Sequence, residues 1–388
     1  MHSQADRRWT ISGKALVSTM ERDIKSIAAN FNLDGKLIRH ESFGSGHIND
    51  TYCLTCEKDG RQLHYILQRI NHQVFKNPPQ MMENIRRVTN HIRRKLQEQQ
   101  NSLASRQLVV IETKDGADFC RDGSGNYWRV YNRIENTVTY DTLESPELAY
   151  EASRMFGWFA AMLTDLPGPP LHETIPDFHT TPKRFKTFTE VLRQDPCNRA
   201  KDAGAEIDFV LENADICDVL LNHASKGEIP VRITHNDTKI NNVLLDEKMH
   251  KGVCVIDLDT VMPGLSLYDF GDMVRTATNP AEEDEPDLSK VTMRISIFEM
   301  LLKGFAEETH KFLTPAEKKN MVFAGKLITF EQMIRFLADH LAGDTYYKIR
   351  REGHNLDRCR TQMKMAQSIM AQEEAMNTLA DSVFKELP

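Results

Sequence analysis

Between Ile233 and Arg275 the chain sets a carboxylate, an ammonium and an amide on one short loop. His235, Asp237, Lys239 and Asn242 lie between two apolar runs, Val231 to Thr234 and Val243 to Leu245, and a strand-like VCVIDLD then delivers Asp257 and Asp259 at its end. These groups suit phosphoryl transfer, in which a carboxylate orients a hydroxyl and a few hard oxygen ligands hold a metal-bound nucleotide. Asp237 is the expected base and Lys239 the cation that offsets charge on the transferred group. Asn242 and Asp257 are the expected Mg²⁺ ligands, because Mg²⁺ takes few protein oxygens when phosphates supply the rest. Asp259 is either a second ligand or a support for the first. His235 organises the loop by hydrogen bonding, since Asp237 already fills the proton-accepting role.

The spacing from His235 through Asp237 to Asn242 follows the H-x-D-x-x-x-x-N pattern of kinase catalytic loops. Downstream, Asp269-Phe270-Gly271 spells the kinase metal motif letter for letter. It comes after the metal carboxylate already placed at Asp257, in LSLYDFGDMVRTA, which reads as the start of a helix. Asp269 and Asp272 are therefore expected to cap or bond the catalytic-loop backbone.

Phosphates need further partners. Gly44 and Gly46 in FGSGHIND allow backbone amides to approach an anion closely, and His47 and Asn49 just beyond are ligand contacts or polar turn residues. The strand-like Tyr65 to Arg69 offers a phosphate partner in Gln68 or Arg69, which point to opposite faces. Only Arg69 carries charge. Glu83, on the helical PPQMMENIRRVTNHIRRKL, is either a partner for that cation or a solvated carboxylate. Asn132 and Ile134 fall in a connector, Asn132 to Asn136, whose backbone could bond an adenine edge.

The elements that must carry these groups divide the chain in three. Residues 1–20 are a polar extension. Residues 21–135 form a nucleotide-binding lobe that opens on a helix with Ile24, Ile27, Ala28 and Phe31 at helical spacing. Its strand-like runs follow, with a hairpin at Lys58-Asp59-Gly60 and further strands at LVVIET and YWRVYNRI. Glu98 to Arg106 is a polar loop. Residues 136–388 form a mainly helical catalytic and substrate-binding lobe. Its helices start at Ser145-Pro146 and near Thr181 and Ile207, and a capping box at Thr314 to Glu317 precedes a long helix to about Leu341. A last helix runs from about Leu356, and Ala281 to Asp287 is a solvated acidic loop. The fold class is α+β and bilobal, with a small antiparallel sheet and a larger helical lobe.

Composition agrees with an ordinary globular chain of 388 residues, 40% hydrophobic and 27% charged. A net charge of -7 argues against nucleic acid as the main partner. Seven Cys in no regular framework read as reduced thiols, and Cys53 with Cys56 makes a lone C-x-x-C inside a strand. MHSQADRRWTISGK has no apolar core of a signal peptide, and no window approaches a membrane span, so a cytoplasmic location without membrane contact is expected.

Five segments together carry a specific resemblance: GSGHINDTY, YILQRIN, THNDTKINNVLLD, VIDLDTVMPGLSLYDFGD and RFLADHLAGDTYY. From about Leu37 to Arg360 the chain resembles the N-acetylhexosamine 1-kinase branch of the aminoglycoside phosphotransferase superfamily. The resemblance implies a protein-kinase-like fold and ATP- and Mg²⁺-dependent phosphorylation of the anomeric hydroxyl of N-acetylglucosamine or N-acetylgalactosamine. It further implies that Asp237 is the base that meets the substrate hydroxyl, that Asn242 and Asp257 hold Mg²⁺, and that Arg335, Tyr346 and His47 contact the sugar. Many superfamily members have Gly where this chain has Asn236. The alternatives are a kinase of the same fold acting on choline, an amino alcohol or an aminoglycoside, and a catalytically silent nucleotide-binding protein. The silent protein is disfavoured by the joint presence of Asp237, Asn242 and Asp257.

Overall fold

The computed structural model describes residues 24–44, 48–143 and 145–387. The expected extension, and with it Gly46 and His47, lies outside the described residues. The chain divides into two compact units. One holds the described residues through Thr89 together with Leu108–Ile134, and the other holds Asn90–Gln107 with the described residues from Glu135 on.

The first unit is an antiparallel sheet of β1 (Lys36–Ser42), β2 (Asp50–Lys58), β3 (Arg61–Ile70), β4 (Val110–Ile111), β5 (Cys120–Arg121) and β6 (Tyr127–Asn132). Its order is β1-β2-β3-β6-β4, with β5 also paired to β6. Asp59 and Gly60 take φ of 51° and 73°, the left-handed pair that a tight hairpin between right-twisted strands requires. Leu54, Cys56, Tyr65, Leu67, Trp128 and Val130 pack on Ile24, Ile27, Ala28 and Phe31, the helical stripe expected at the start. Strand alternation turns Gln68 and its register partner Arg129 to the other face. Cys53 and Cys56 are three apart on β2, hence on opposite faces, and both are buried. The expected strand LVVIET shrinks to two residues.

The second unit is mainly helical. After α1 (Pro78–Glu98), which begins in the first unit, come α2 (Pro146–Met162), α3 (Thr181–Gln194), α4 (Gly204–Glu212) and α5 (Val219–Ser225). They are followed by α6 (Ser266–Ala277), α7 (Ile295–Thr309), α8 (Pro315–Lys319), α9 (Met321–Leu341) and α10 (His354–Glu386). Ser145 caps α2 by accepting from Glu147 N, with proline in the first turn. The capping box at Thr314 forms, but it opens only the five-residue α8; α9 restarts at Met321 after Asn320 leaves helical geometry. The polar stretch before Gln107 holds a short 3-10 helix, Ser102–Arg106. The acidic loop is solvated as expected, with Glu282, Glu283, Pro286 and Asp287 exposed, and it is also pinned by Glu283 on Arg275 and Asp284 on His354. No helix among the described residues is long and apolar enough to cross a membrane.

Two small sheets carry the segment of interest. β8 (Arg232–Thr234) pairs with β11 (Met262–Gly264), and β9 (Val243–Asp246) lies between β7 (Thr137–Val138) and β10 (Gly252–Val255). The β9-β10 hairpin is tied down at its tip, where Arg106 bonds Asp246 at 2.8 Å, and at its return strand, where Glu151 accepts from Gly252 N at 3.2 Å.

Candidate functional site

The loop between β8 and β9 is built on buried hydrogen bonds. Asp269 on α6 accepts from His235 N at 2.9 Å and Asn236 N at 2.7 Å, and its own carbonyl takes the Thr238 hydroxyl at 2.6 Å. The Asp269 side chain thus fixes two successive backbone amides ahead of Asp237 while its carbonyl holds the Thr238 side chain just beyond, the supporting part expected of it. His235 is fully buried between Phe156 and Phe159, bonds Ile256 O through Nε2 at 2.9 Å, and accepts from Asp237 N through Nδ1. Asn236 takes φ of 64°. Asn is the residue after Gly that most readily occupies this left-handed region, so it serves where many superfamily members have Gly. Its amide also donates to Thr260 O at 2.9 Å, which stitches the loop to the turn before β11.

On that frame the chemistry-bearing groups converge. Lys239 Nζ lies 3.6 Å from Asp237 Oδ1. Asn242 donates its amide N–H to Asp237 O at 2.9 Å, which leaves the amide oxygen as the atom that could meet a metal. The β9-β10 register pairs Val243 with Val255, and Ile256 N donates to Asn242 O at 2.9 Å. Asn242 is therefore one residue out of register from Asp257, although the two are fifteen apart in sequence. Asp257 has φ of 58°, caps the 3-10 turn Leu258–Thr260 and is exposed, whereas Asp259 within the turn is 2% exposed. Among the described residues no three His, Cys, Asp or Glu side chains gather as a metal cage. An amide oxygen beside a solvent-facing carboxylate is instead the sparse donor set that fits Mg²⁺ carried in by phosphates.

Arg275 adds a buried charge behind the loop, bonding Asp272 at 2.9 Å and Glu283 at 3.2 Å. Burial alone would lower the proton affinity of this guanidinium, and Asp272 followed by Glu283 outweighs it. For Lys239 the carboxylate of Asp237 is the leading influence and raises its affinity for the proton.

A second cluster forms around α9. Arg335 stacks on Phe178 and Tyr347, 5.2 and 5.8 Å from their ring centres, and bonds Gln332 at 3.2 Å. Arg184 of α3 bonds Phe178 O at 3.0 Å, and burial followed by the charge of Arg335 lowers its proton affinity. Tyr346 is 61% exposed against Tyr347. Asp339 and Asp344, close by in sequence, are spent on the fold. Asp339 accepts the amides of Thr345, Tyr346 and Tyr347 at 2.8 to 2.9 Å, and Asp344 binds Arg199 at 2.6 Å. Glu331, one turn before Arg335, meets His179 at 2.8 Å, and His179 meets Asn236 O at 3.3 Å. Arg184, His179 and Glu331 escape the sequence reading, and only Glu331 leaves a trace there, as an acid in an apolar stretch of helix.

In the first unit, Gly44 takes φ of 77°. Arg69 bonds Asp50 at 2.6 Å, while Gln68 accepts Arg129 Nε and Nη2 at 3.0 and 2.8 Å. Arg129 is the cation on the face of Gln68, and its Nη1 lies 3.9 Å from Met82 Sδ of α1. It is 1% exposed, and its only signal in the sequence is a charge inside the otherwise apolar run Tyr127 to Tyr131. Glu83, next to Met82, is exposed. Asn132 N donates to Val109 O and Arg133 N to His64 O, so these two connector amides already have partners; Ile134 is buried.

A family model described as the phosphotransferase enzyme family matches residues 39–291, more than half of the chain. The fold is similar to a solved aminoglycoside phosphotransferase from Alicyclobacillus acidocaldarius, at 13% identity and TM-score 0.58, covering 92% of this chain and 96% of that one. A microcompartment-associated aminopropanol kinase matches at 13% identity and TM-score 0.57, covering 92% and 98%. A spectinomycin phosphotransferase solved with ADP and spectinomycin matches at 13% identity and TM-score 0.54, covering 91% and 98%.

Proposed function

The chain belongs to the phosphotransferase enzyme family, and on that premise we propose that it transfers the terminal phosphoryl group of ATP to the anomeric hydroxyl of an N-acetylhexosamine, in the cytoplasm. Asp237 takes the proton of the hydroxyl as its oxygen attacks the γ-phosphorus, the bond to the bridging oxygen breaks, and ADP leaves. No covalent phosphoenzyme forms. Lys239, 3.6 Å from Asp237, stabilises the charge that spreads over the moving group. Bound Mg²⁺, held by the Asn242 oxygen and Asp257, would neutralise the β- and γ-phosphate oxygens, with Asp259 supporting it from its buried position. Gly44 and Gly46, Gln68 or Arg69, Glu83, and the connector at Asn132 and Ile134 are assigned to the nucleotide; Arg335, Tyr346 and His47 are assigned to the sugar.

The observation that carries the acceptor class is the pair of guanidiniums, Arg184 and Arg335, beside exposed Tyr346. They disfavour a cationic acceptor, and their donors and the aromatic faces suit hydroxyls and an acetamido oxygen. The second reading is an amino alcohol or aminoglycoside acceptor, favoured by the names of the structural neighbours. An acceptor panel with ATP and Mg²⁺ decides between them. The expected result is ADP release with N-acetylglucosamine or N-acetylgalactosamine and an acid-labile, alkali-resistant sugar 1-phosphate. Asp237→Asn should cut kcat by about 10²-fold or more while ADP binding persists. Turnover with aminopropanol or an aminoglycoside and none with either hexosamine would establish the second reading.

A further inference from the structure

We infer that His179 and Glu331 form a buried imidazolium–carboxylate pair that positions the catalytic loop through the carbonyl of Asn236 and locks that loop to the helix bearing Arg335. Both are positioning residues, and the inference rests on the kinase reading of Asp237. His179 is 9% exposed and Glu331 1%, so both are largely shielded from water. The ring faces an acceptor at each nitrogen, the Glu331 carboxyl 2.8 Å from Nδ1 and the Asn236 carbonyl 3.3 Å from Nε2. Two acceptors on one ring require two N–H donors unless Glu331 itself holds a proton.

The surroundings assign that proton to the ring. Thr181 donates to the other carboxyl oxygen of Glu331 at 2.6 Å, so that oxygen is an acceptor. Burial pushes the Glu331 carboxyl up, but His179, Arg335 and Thr181 together hold it below the usual carboxylate range. The other groups near the pair are Tyr268 and Asp269 from α6, Arg184 from α3, and Cys217, whose thiol burial pushes up to about 12. Of these, Asp269 is committed to the backbone amides of His235 and Asn236.

The consequence lies at Asp237. Its preceding residue, Asn236, is held left-handed by Asp269 on its N–H and by His179 on its carbonyl. Removing either anchor lets the peptide before the base rotate. Because Glu331 stands one turn from Arg335, the same pair keeps the loop and the acceptor-side arginine in one fixed relation.

Two measurements test this on the full chain. Nitrogen-15 NMR of the histidine rings, recorded without nucleotide or acceptor, should show both His179 nitrogens protonated and slowly exchanging near neutral pH, with the Nδ1 proton lost in Glu331→Gln. A singly protonated His179 would overturn the pairing whatever the acceptor proves to be. In kinetics with ATP and N-acetylglucosamine, His179→Gln and Glu331→Gln should each lower kcat by about tenfold to a hundredfold. ADP affinity should stay within about twofold, and the double variant should be no worse than the poorer single one. Wild-type kcat in folded Glu331→Gln, or losses that multiply, would overturn the positioning role. If N-acetylglucosamine is not an acceptor, the functional reading fails, and the same comparison is made with whichever acceptor the panel returns.

Discussion

Opposed forces set the proton affinity of Asp237. Burial pushes its carboxyl up, and Lys239, then His235 and Arg275, outweigh burial and hold it below the usual carboxylate range. As the proposed base, Asp237 with its depressed pKa is ionised at neutral pH, and the activity that needs it should disappear only as pH falls through that depressed value. Lys239→Met removes the leading depressing charge. The acid limb of kcat/KM should then move to higher pH, on top of a lower plateau from the lost charge stabilisation. An acid limb at the same pH in wild type and Lys239→Met would mean that Lys239 does not set the ionisation. His235, Asp237, Lys239 and Asn242 were legible in the sequence because their geometry is local, fixed within one loop. His179 and Glu331 were not, since their contacts span 57 and 152 residues and leave no periodic mark.

At the scale of elements, Asp269-Phe270-Gly271 shows how a motif can be divided among structural tasks. Asp269 holds the catalytic loop, Phe270 is fully buried against Phe298 and Phe305, and Gly271 lets α6 and α9 approach closely. A Cβ at Gly271 would fall on the Ala324 carbonyl oxygen and 2.7 Å from Ile328 Cγ1. Because one obstacle is backbone, a rotamer change cannot relieve it. Gly271→Ala should cost about 1–3 kcal/mol of stability, read from the urea midpoint. It should also lower kcat, because spreading α6 from α9 moves Asp269 against the loop it anchors. A stable variant with wild-type kcat would show that the helices yield without disturbing the site. The helical character of this segment was readable from its pattern. Its distance from α9 was not, because crossing distance depends on a partner some fifty residues away. The same limit applies to the Thr314 capping box, which specifies where α8 begins but not that Asn320 ends it.

Across the whole molecule, the seven cysteines report how burial is distributed over both units. Cys53, Cys56, Cys217, Cys254 and Cys359 are buried, Cys120 is partly covered and Cys197 alone is exposed. Composition indicated free thiols but could not rank them, since Cys53 and Cys56 read alike as a C-x-x-C until strand parity set them on opposite faces. Thiol reactivity follows thiolate content and access together. Burial pushes the Cys120 thiol up to about 11 and the Cys217 thiol up to about 12, and Cys56 and Cys359 are raised for the same reason. The folded protein should therefore show one fast-reacting thiol toward an aromatic disulfide at about pH 8, where an ordinary thiol is partly ionised. Cys197→Ser should remove that phase, and denaturant should release the remaining thiols together if each unit unfolds cooperatively. Fast reaction at Cys53 or Cys56 in the native protein would mean that β2 opens readily, and with it the sheet on which Gln68 and Arg129 are held.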